Sequence, residues 1–171
     1  MRILGIDPGI AIVGYGVIDV EKGKFKLVAM GASRTPTGIP VEKRVEMVYD
    51  DICELIDTYH PDCMSCEELF FNTNQKTAIA VAEARGVILL AAMKKNIEFF
   101  EYTPLQVKQS VVGYGRAEKR QVMEMVKMFL HLDKVPKLDD TADALALAIC
   151  HAHTSESKIR DFYNQKKNRL L

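Results

Sequence analysis

Met1-Arg2-Ile3-Leu4-Gly5-Ile6-Asp7-Pro8-Gly9 opens the chain, and how this stretch is read decides the fold. Residues 2–7 are a short apolar run ending on an acid, and Pro8-Gly9 stops it with turn chemistry. The run predicts a buried strand with Asp7 at its carboxyl end. Two β-prone runs follow, residues 12–20 and 25–34, and the short connection at 21–24, with Gly23, predicts an antiparallel hairpin. Three strands therefore open the fold.

Beyond them the periodicity changes. Pro40 introduces a helix whose apolar positions, Val41, Val45, Val48, Ile52, Leu55 and Tyr59, recur at spacings of four and three. His60-Pro61-Asp62 stops it. Residues 63–69 predict a fourth strand, 75–95 a long Ala-rich helix and 98–102 a fifth strand. Thr103-Pro104 starts a short helix to Val112, and Gly113-Tyr114-Gly115 breaks the chain. A further helix covers 117–132, with Val122, Met125, Val126, Phe129 and Leu130 on one face. The last helix begins near Asp139 and turns Ala142, Leu145, Ala146 and Ile149 inward; from Ser155 the chain is polar and basic and reads as a loosely held, flexible tail. The fold class is α/β, a mixed five-stranded sheet flanked by helices on both faces. Strands one and four become parallel neighbours through a right-handed crossover, and their carboxyl ends are where such a sheet presents an active site.

With 171 residues the chain suits one compact domain, read as 1–153 with a tail at 154–171, and a domain of this size buries roughly 70% of its unfolded surface. The 23 basic and 23 acidic side chains cancel, so net charge excludes nothing. Their distribution is uneven. Residues 1–93 carry nine Lys or Arg against thirteen acids, residues 94–137 nine against five, and residues 151–171 five against two. An acid cluster at Asp139, Asp140 and Asp143 thus interrupts a basic half, a pattern that suits a metal-dependent enzyme acting on phosphates.

Met1 leads directly into a strand without an apolar signal core, and no stretch approaches the roughly 20 apolar residues of a membrane span. The expectation is a cytoplasmic protein in which Cys53, Cys63, Cys66 and Cys150 are thiols. A zinc site built from Cys63, Cys66, Cys150, His151 and His153 conflicts with strand geometry, because positions 63 and 66 of one strand face opposite ways and neither Gly nor Pro lies between them to make a turn.

Asp7 and Glu67 close strands that the topology places side by side. Glu68 competes with Glu67 for this role, and it points to the other face. On the last helix Asp140 and Asp143 share a face, but so do Asp139 and Asp143, and Asp139 also suits a helix N-cap. Spacing leaves six candidate acids. Gathered carboxylates repel and raise one another's pKa unless a cation sits among them. Mg²⁺ accepts such oxygen ligands, and two ions roughly 4 Å apart would activate water and stabilise the leaving oxygen in phosphodiester hydrolysis. Lys108, Arg116, Lys119 and Arg120 flank the Gly113-Tyr114-Gly115 break, from which a flexible loop would let them reach a phosphate backbone. Phe70 follows the fourth strand and offers a ring to an unpaired base, or to the core.

The chain resembles the RuvC family of Holliday junction resolvases. The resemblance rests on residues 1–9 with Gly14-Tyr15-Gly16, Cys66-Glu67-Glu68-Leu69-Phe70, Ala84-Arg85-Gly86-Val87, Gln106-Val107-Lys108-Gln109, Val111-Val112-Gly113, Ala117-Glu118-Lys119 and Asp140-Thr141-Ala142-Asp143-Ala144-Leu145-Ala146, in order to about His153. It implies an RNase H-like fold, catalytic and metal-holding acids at Asp7, Glu67, Asp140 and Asp143, and a requirement for Mg²⁺, two ions per site, with Mn²⁺ as substitute. Phe70 becomes the ring that helps open the junction, and Lys108 and Lys119 contact DNA. The implied substrate is four-way junction DNA, nicked symmetrically by a homodimer that works beside the branch-migration proteins RuvA and RuvB. Two-fold symmetry in the junction calls for the same symmetry in the enzyme, and residues 75–95, with Gly86 among them, are the expected interface.

Three rivals make different demands. Gly5-Ile6-Asp7-Pro8-Gly9 before a hairpin is similar to the first phosphate motif of actin-like and sugar-kinase phosphotransferases, which need two related domains to enclose ATP. An RNase H-like nuclease acting on structured RNA would not be expected to match residues 108–119. A junction-binding protein without activity has no use for four acids beside a phosphate.

Overall fold

The computed structural model describes residues 1–69 and 75–168, with side-chain detail over 1–69 and 78–155. Its elements in chain order are β1 (Arg2–Asp7), β2 (Ile12–Glu21), β3 (Lys24–Arg34), α1 (Val41–Tyr59), β4 (Cys63–Glu67), α2 (Gln75–Lys94), β5 (Glu98–Tyr102), α3 (Pro104–Val112), α4 (Lys119–Phe129) and α5 (Asp139–Asn168). One five-stranded sheet runs in the order β3-β2-β1-β4-β5. The first three strands pair antiparallel, and β4 joins β1, and β5 joins β4, in parallel. This is the mixed sheet that the sequence predicts. Lys22 and Gly23 both take positive φ, 50° and 74°, as a tight hairpin turn between right-twisted strands requires.

Alternation along the strands sorts the core into two layers. Leu4, Ile6, Met64 and Cys66 face Val48, Ile52 and Ile56 of α1 and Ala84 and Ile88 of α2. Ile3, Ile18 and Cys63 face the other way, onto Val111 of α3, Val122 and Val126 of α4, and Leu145 and Ile149 of α5. Helices thus cover both faces. Cys63 and Cys66 lie in opposite layers, and all four cysteines are free thiols.

Several boundaries differ from expectation, α4 also ending at Phe129 rather than at 132. β4 ends at Glu67 rather than at 69. α4 begins at Lys119 rather than at 117, because the chain from Gly113 is committed first to a left-handed helix cap, with φ 97° at Gly113, and then to burying Ala117. α5 continues to Asn168, well past the 155 at which the sequence reading ends it. Neither Gly nor Pro occurs between 139 and 168, and nothing else in that stretch forces a stop. Among the described residues no helix is long and apolar enough to cross a membrane.

What positions the site is the way α5 lies on the sheet. Residues Ala144 to Ile149 are all buried, Leu145 at 0% exposure, because the strands cover one side of this stretch while α3 and α4 cover the other. The helix comes unusually near the strands at two glycines. A Cβ on Gly5 would drive into the backbone carbonyl of Ala144, and one on Gly14 into that of Asp140. Any side chain at either position would push α5 off the sheet.

Candidate active site

Asp7 ends β1 on the face that carries Ile3 and Gly5, the face covered by α5. β4 runs parallel to β1 with Ile3 opposite Cys63, Gly5 opposite Ser65 and Ile6 opposite Cys66. Continuing that register by one residue brings Glu67 beside Asp7 on the same face. Glu68 falls on the opposite face, exposed, with its amide donating to the Tyr102 carbonyl at 3.0 Å. Gly14 pairs with Asp7 across the β1–β2 ladder, and the first turn of α5 rests on Gly14. Asp140 therefore stands over the end of β1, and Asp143 lies one helical turn further on.

The electrostatics agree with that construction. Burial pushes the Asp7 carboxyl up to about 8, and Glu67, Asp143 and Asp140 add to the shift in that order, while Lys119 opposes it. Burial and then Asp143 raise Glu67, again against Lys119. Four carboxylates from two strands and a helix therefore sit in one another's field with too little positive charge among them. Such a set of hard oxygen donors fits a divalent cation of the Mg²⁺ or Mn²⁺ type. Among the described residues no three His, Cys, Asp or Glu side chains are drawn together into a finished metal cage. The acids converge without closing.

A cation of the chain itself occupies part of this space. Lys119 Nζ donates to Asp143 Oδ2 at 2.9 Å and lies 3.3 Å from Asp139 Oδ2. Lys119 is the first residue of α4, and Gln121 Oε1 secures the entry to that helix by accepting from the Glu118 amide at 2.8 Å. It is thus carried on a helix aimed at the acids, as the predicted helix over 117–132 implies. Asp139 likewise opens α5 and turns its carboxylate to Lys119, so it is a partner of a lysine and not the predicted cap. Lys108 lines the same cleft as Glu67, Lys119 and Asp143, over an apolar floor of Pro104, Val107, Val122 and Leu147. Arg116 and Arg120 are exposed nearby. Phe70 lies outside the described residues.

Two supports of the site escaped the sequence reading. Thr35 Oγ1 donates to the Ile10 carbonyl at 2.5 Å, and Arg44 donates to Thr35 Oγ1 at 2.8 Å and to the Ile10 carbonyl at 3.3 Å. The Thr35 amide also donates to Ala11 at 3.1 Å. Together these bonds fix the loop that leaves Asp7. Arg85 Nε donates to Glu101 at 2.9 Å and ties α2 to β5 beside the end of β4. Partners 9 to 34 residues apart on different elements leave no local pattern to read.

Comparison with known proteins points one way. The family described as Crossover junction endodeoxyribonuclease RuvC matches residues 3–151. Proteins named Crossover junction endodeoxyribonuclease RuvC from Alkaliphilus oremlandii and Clostridioides difficile are each 58% identical to this chain, covering 90% and 91% of it and 94% and 92% of their own lengths. A structure of Thermus thermophilus RuvC in complex with Holliday junction substrate is 34% identical, superposes with a TM-score of 0.88, and covers 92% of this chain and 96% of its own.

Proposed function

The chain belongs to the RuvC family of crossover junction endodeoxyribonucleases, which are metal-dependent nucleases, and on that premise we propose that it resolves Holliday junctions in DNA recombination and repair by hydrolysing one phosphodiester bond in each of two symmetric strands. The observation that carries the proposal is the convergence of Asp7, Glu67, Asp140 and Asp143, seen in the Asp7 carboxyl held at about 8.

In this reading the four acids are the catalytic and metal-holding residues. Bound Mg²⁺, two ions per site with Mn²⁺ as substitute, supplies the Lewis acidity and water activation that phosphodiester hydrolysis needs. Asp7 and Glu67 are fixed by the sheet and Asp140 and Asp143 by α5, so the donors are oriented before substrate arrives and little reorganisation is left for the reaction. Lys108 and Lys119 contribute positive charge at the cleft rim for the cleaved strand, Arg116 and Arg120 contact the backbone further out, and Phe70 wedges the junction open. Residues 1–153 act as one nuclease domain in the cytoplasm, beside RuvA and RuvB.

Two such sites are needed per junction, and α2 offers the surface for a homodimer. Ile79, Leu90 and Met93 are 69%, 47% and 50% exposed, and with exposed Gly86 they form one stripe at helical spacing. A synthetic four-way DNA junction and a structured RNA, incubated with the protein in Mg²⁺ and mapped strand by strand, test the reading. Paired nicks at symmetric DNA positions are expected, and preferential cutting of the RNA would defeat it.

A further inference from the structure

Lys119 is placed where its own helix does not favour it. It stands in the first turn of α4, at the positive end of the helix dipole, where a cation is unfavourable. What holds it there is its double contact with Asp143 and Asp139. These contacts are open to solvent, with the Lys119, Asp139 and Asp143 side chains 50%, 63% and 32% exposed, so breaking them costs little. The same side chain faces the cleft that Lys108, Glu67 and Asp143 line. Asp143 is therefore claimed by two cations of different kinds, an ammonium within the chain and, in the function proposed above on which this inference rests, a divalent ion.

We propose that Lys119 is an exchangeable counter-cation of the acid cluster: it and a divalent ion compete for Asp143, and the ammonium turns to a DNA phosphate as the ion takes its place. Three consequences follow from simple electrostatics. Lys119 weakens ion binding to the free protein, because the ion must displace it. It adds little to DNA affinity while it is held by Asp143 and Asp139. It adds the worth of a phosphate contact once released, so ion binding and junction binding reinforce each other through this one side chain.

The test uses the full chain, wild type and Lys119→Gln, with Lys119→Arg as the variant that keeps the charge. Ca²⁺, a hard cation with oxygen ligands, is titrated calorimetrically without DNA, and junction affinity is read by fluorescence anisotropy in EDTA and in saturating Ca²⁺, scoring uncut junction alone. Lys119→Gln is expected to bind Ca²⁺ several-fold more tightly than wild type. Its junction affinity relative to wild type should fall roughly fivefold further in Ca²⁺ than in EDTA, the worth of one exposed ion pair, while Lys119→Arg keeps the wild-type response to Ca²⁺. An equal loss of junction affinity with and without Ca²⁺, or unchanged Ca²⁺ affinity, would overturn the exchange and leave the metal site standing. Failure of the wild type to bind Ca²⁺ at all would instead remove the acid-cluster reading, and the exchange with it.

Discussion

Asp7→Asn separates what the acid cluster does for catalysis from what it costs the fold. In the folded chain the Asp7 carboxyl keeps its proton up to about pH 8, whereas its ordinary value is 3.8. Folding therefore takes up a proton between those limits, so wild-type stability falls as pH rises from about 4 to about 8 and then levels off. At about 1.4 kcal/mol for each pH unit the interval sets an upper limit of about 6 kcal/mol. Local relaxation and water around the carboxyl reduce this, and about 2–3 kcal/mol is the expected size. Asn keeps the shape and cannot ionise. In EDTA the variant should melt with wild type near pH 4 and about 5–10 °C above it at pH 9, taking about 2–4 °C per kcal/mol for a chain of this length. Mg²⁺ should raise the melting temperature of wild type by mass action and that of the variant by much less. The same substitution should lower junction cutting at least about a hundredfold, close to 3 kcal/mol of barrier, with junction binding retained. Calorimetric melts from pH 4 to pH 9 give the stability profile. Coincident profiles for the two proteins would refute the crowding of charge, and normal cutting by the variant would remove Asp7 from the mechanism.

Glu67→Gln should lose at least about a hundredfold in cutting, whereas Glu68→Gln, on the other face of the strand, should stay within about threefold of wild type; single-turnover rates on a synthetic junction compare them. Gly14→Ala places a methyl group against the Asp140 carbonyl, so α5 must shift, with an expected loss of about 1–3 kcal/mol in denaturant melts and a larger loss of cutting than of stability. Wild-type stability with unchanged cutting would show that the close approach of α5 does not matter. Leu90→Glu puts a charge in the exposed stripe of α2 and should weaken dimerisation at least about tenfold in sedimentation equilibrium, leaving the melting temperature of the monomer within about 2 °C; an unchanged dimer constant would move the interface elsewhere.

The strand-end position of Asp7, the hairpin, the five strands and the amphipathic helices were all legible from local pattern, because apolar periodicity and turn residues act within a few positions of themselves. Resemblance to a known family then narrowed six acids to four. Local pattern gave no means of choosing Glu67 over Glu68, since either ends the same run; the register of β4 on β1 makes that choice, by carrying the alternation of one strand across to the next. The helix spacing allowed Asp143 to join either Asp139 or Asp140, and the structure divides them: Asp140 goes to the strand end over Gly14, and Asp139 goes with Asp143 to Lys119. Lys119 could be read as a basic residue near a break, but its direction depends on how α4 and α5 pack on one sheet face, as the clasp of Thr35 and Arg44 on the loop after Asp7 depends on the meeting of β3 and α1. By itself, then, the sequence determined which chemistry is possible, because residue types and local periods are written in it directly. Only the tertiary structure decided which acids share a field and which cation answers them, because those facts depend on distances of a few ångströms between elements well separated in the chain.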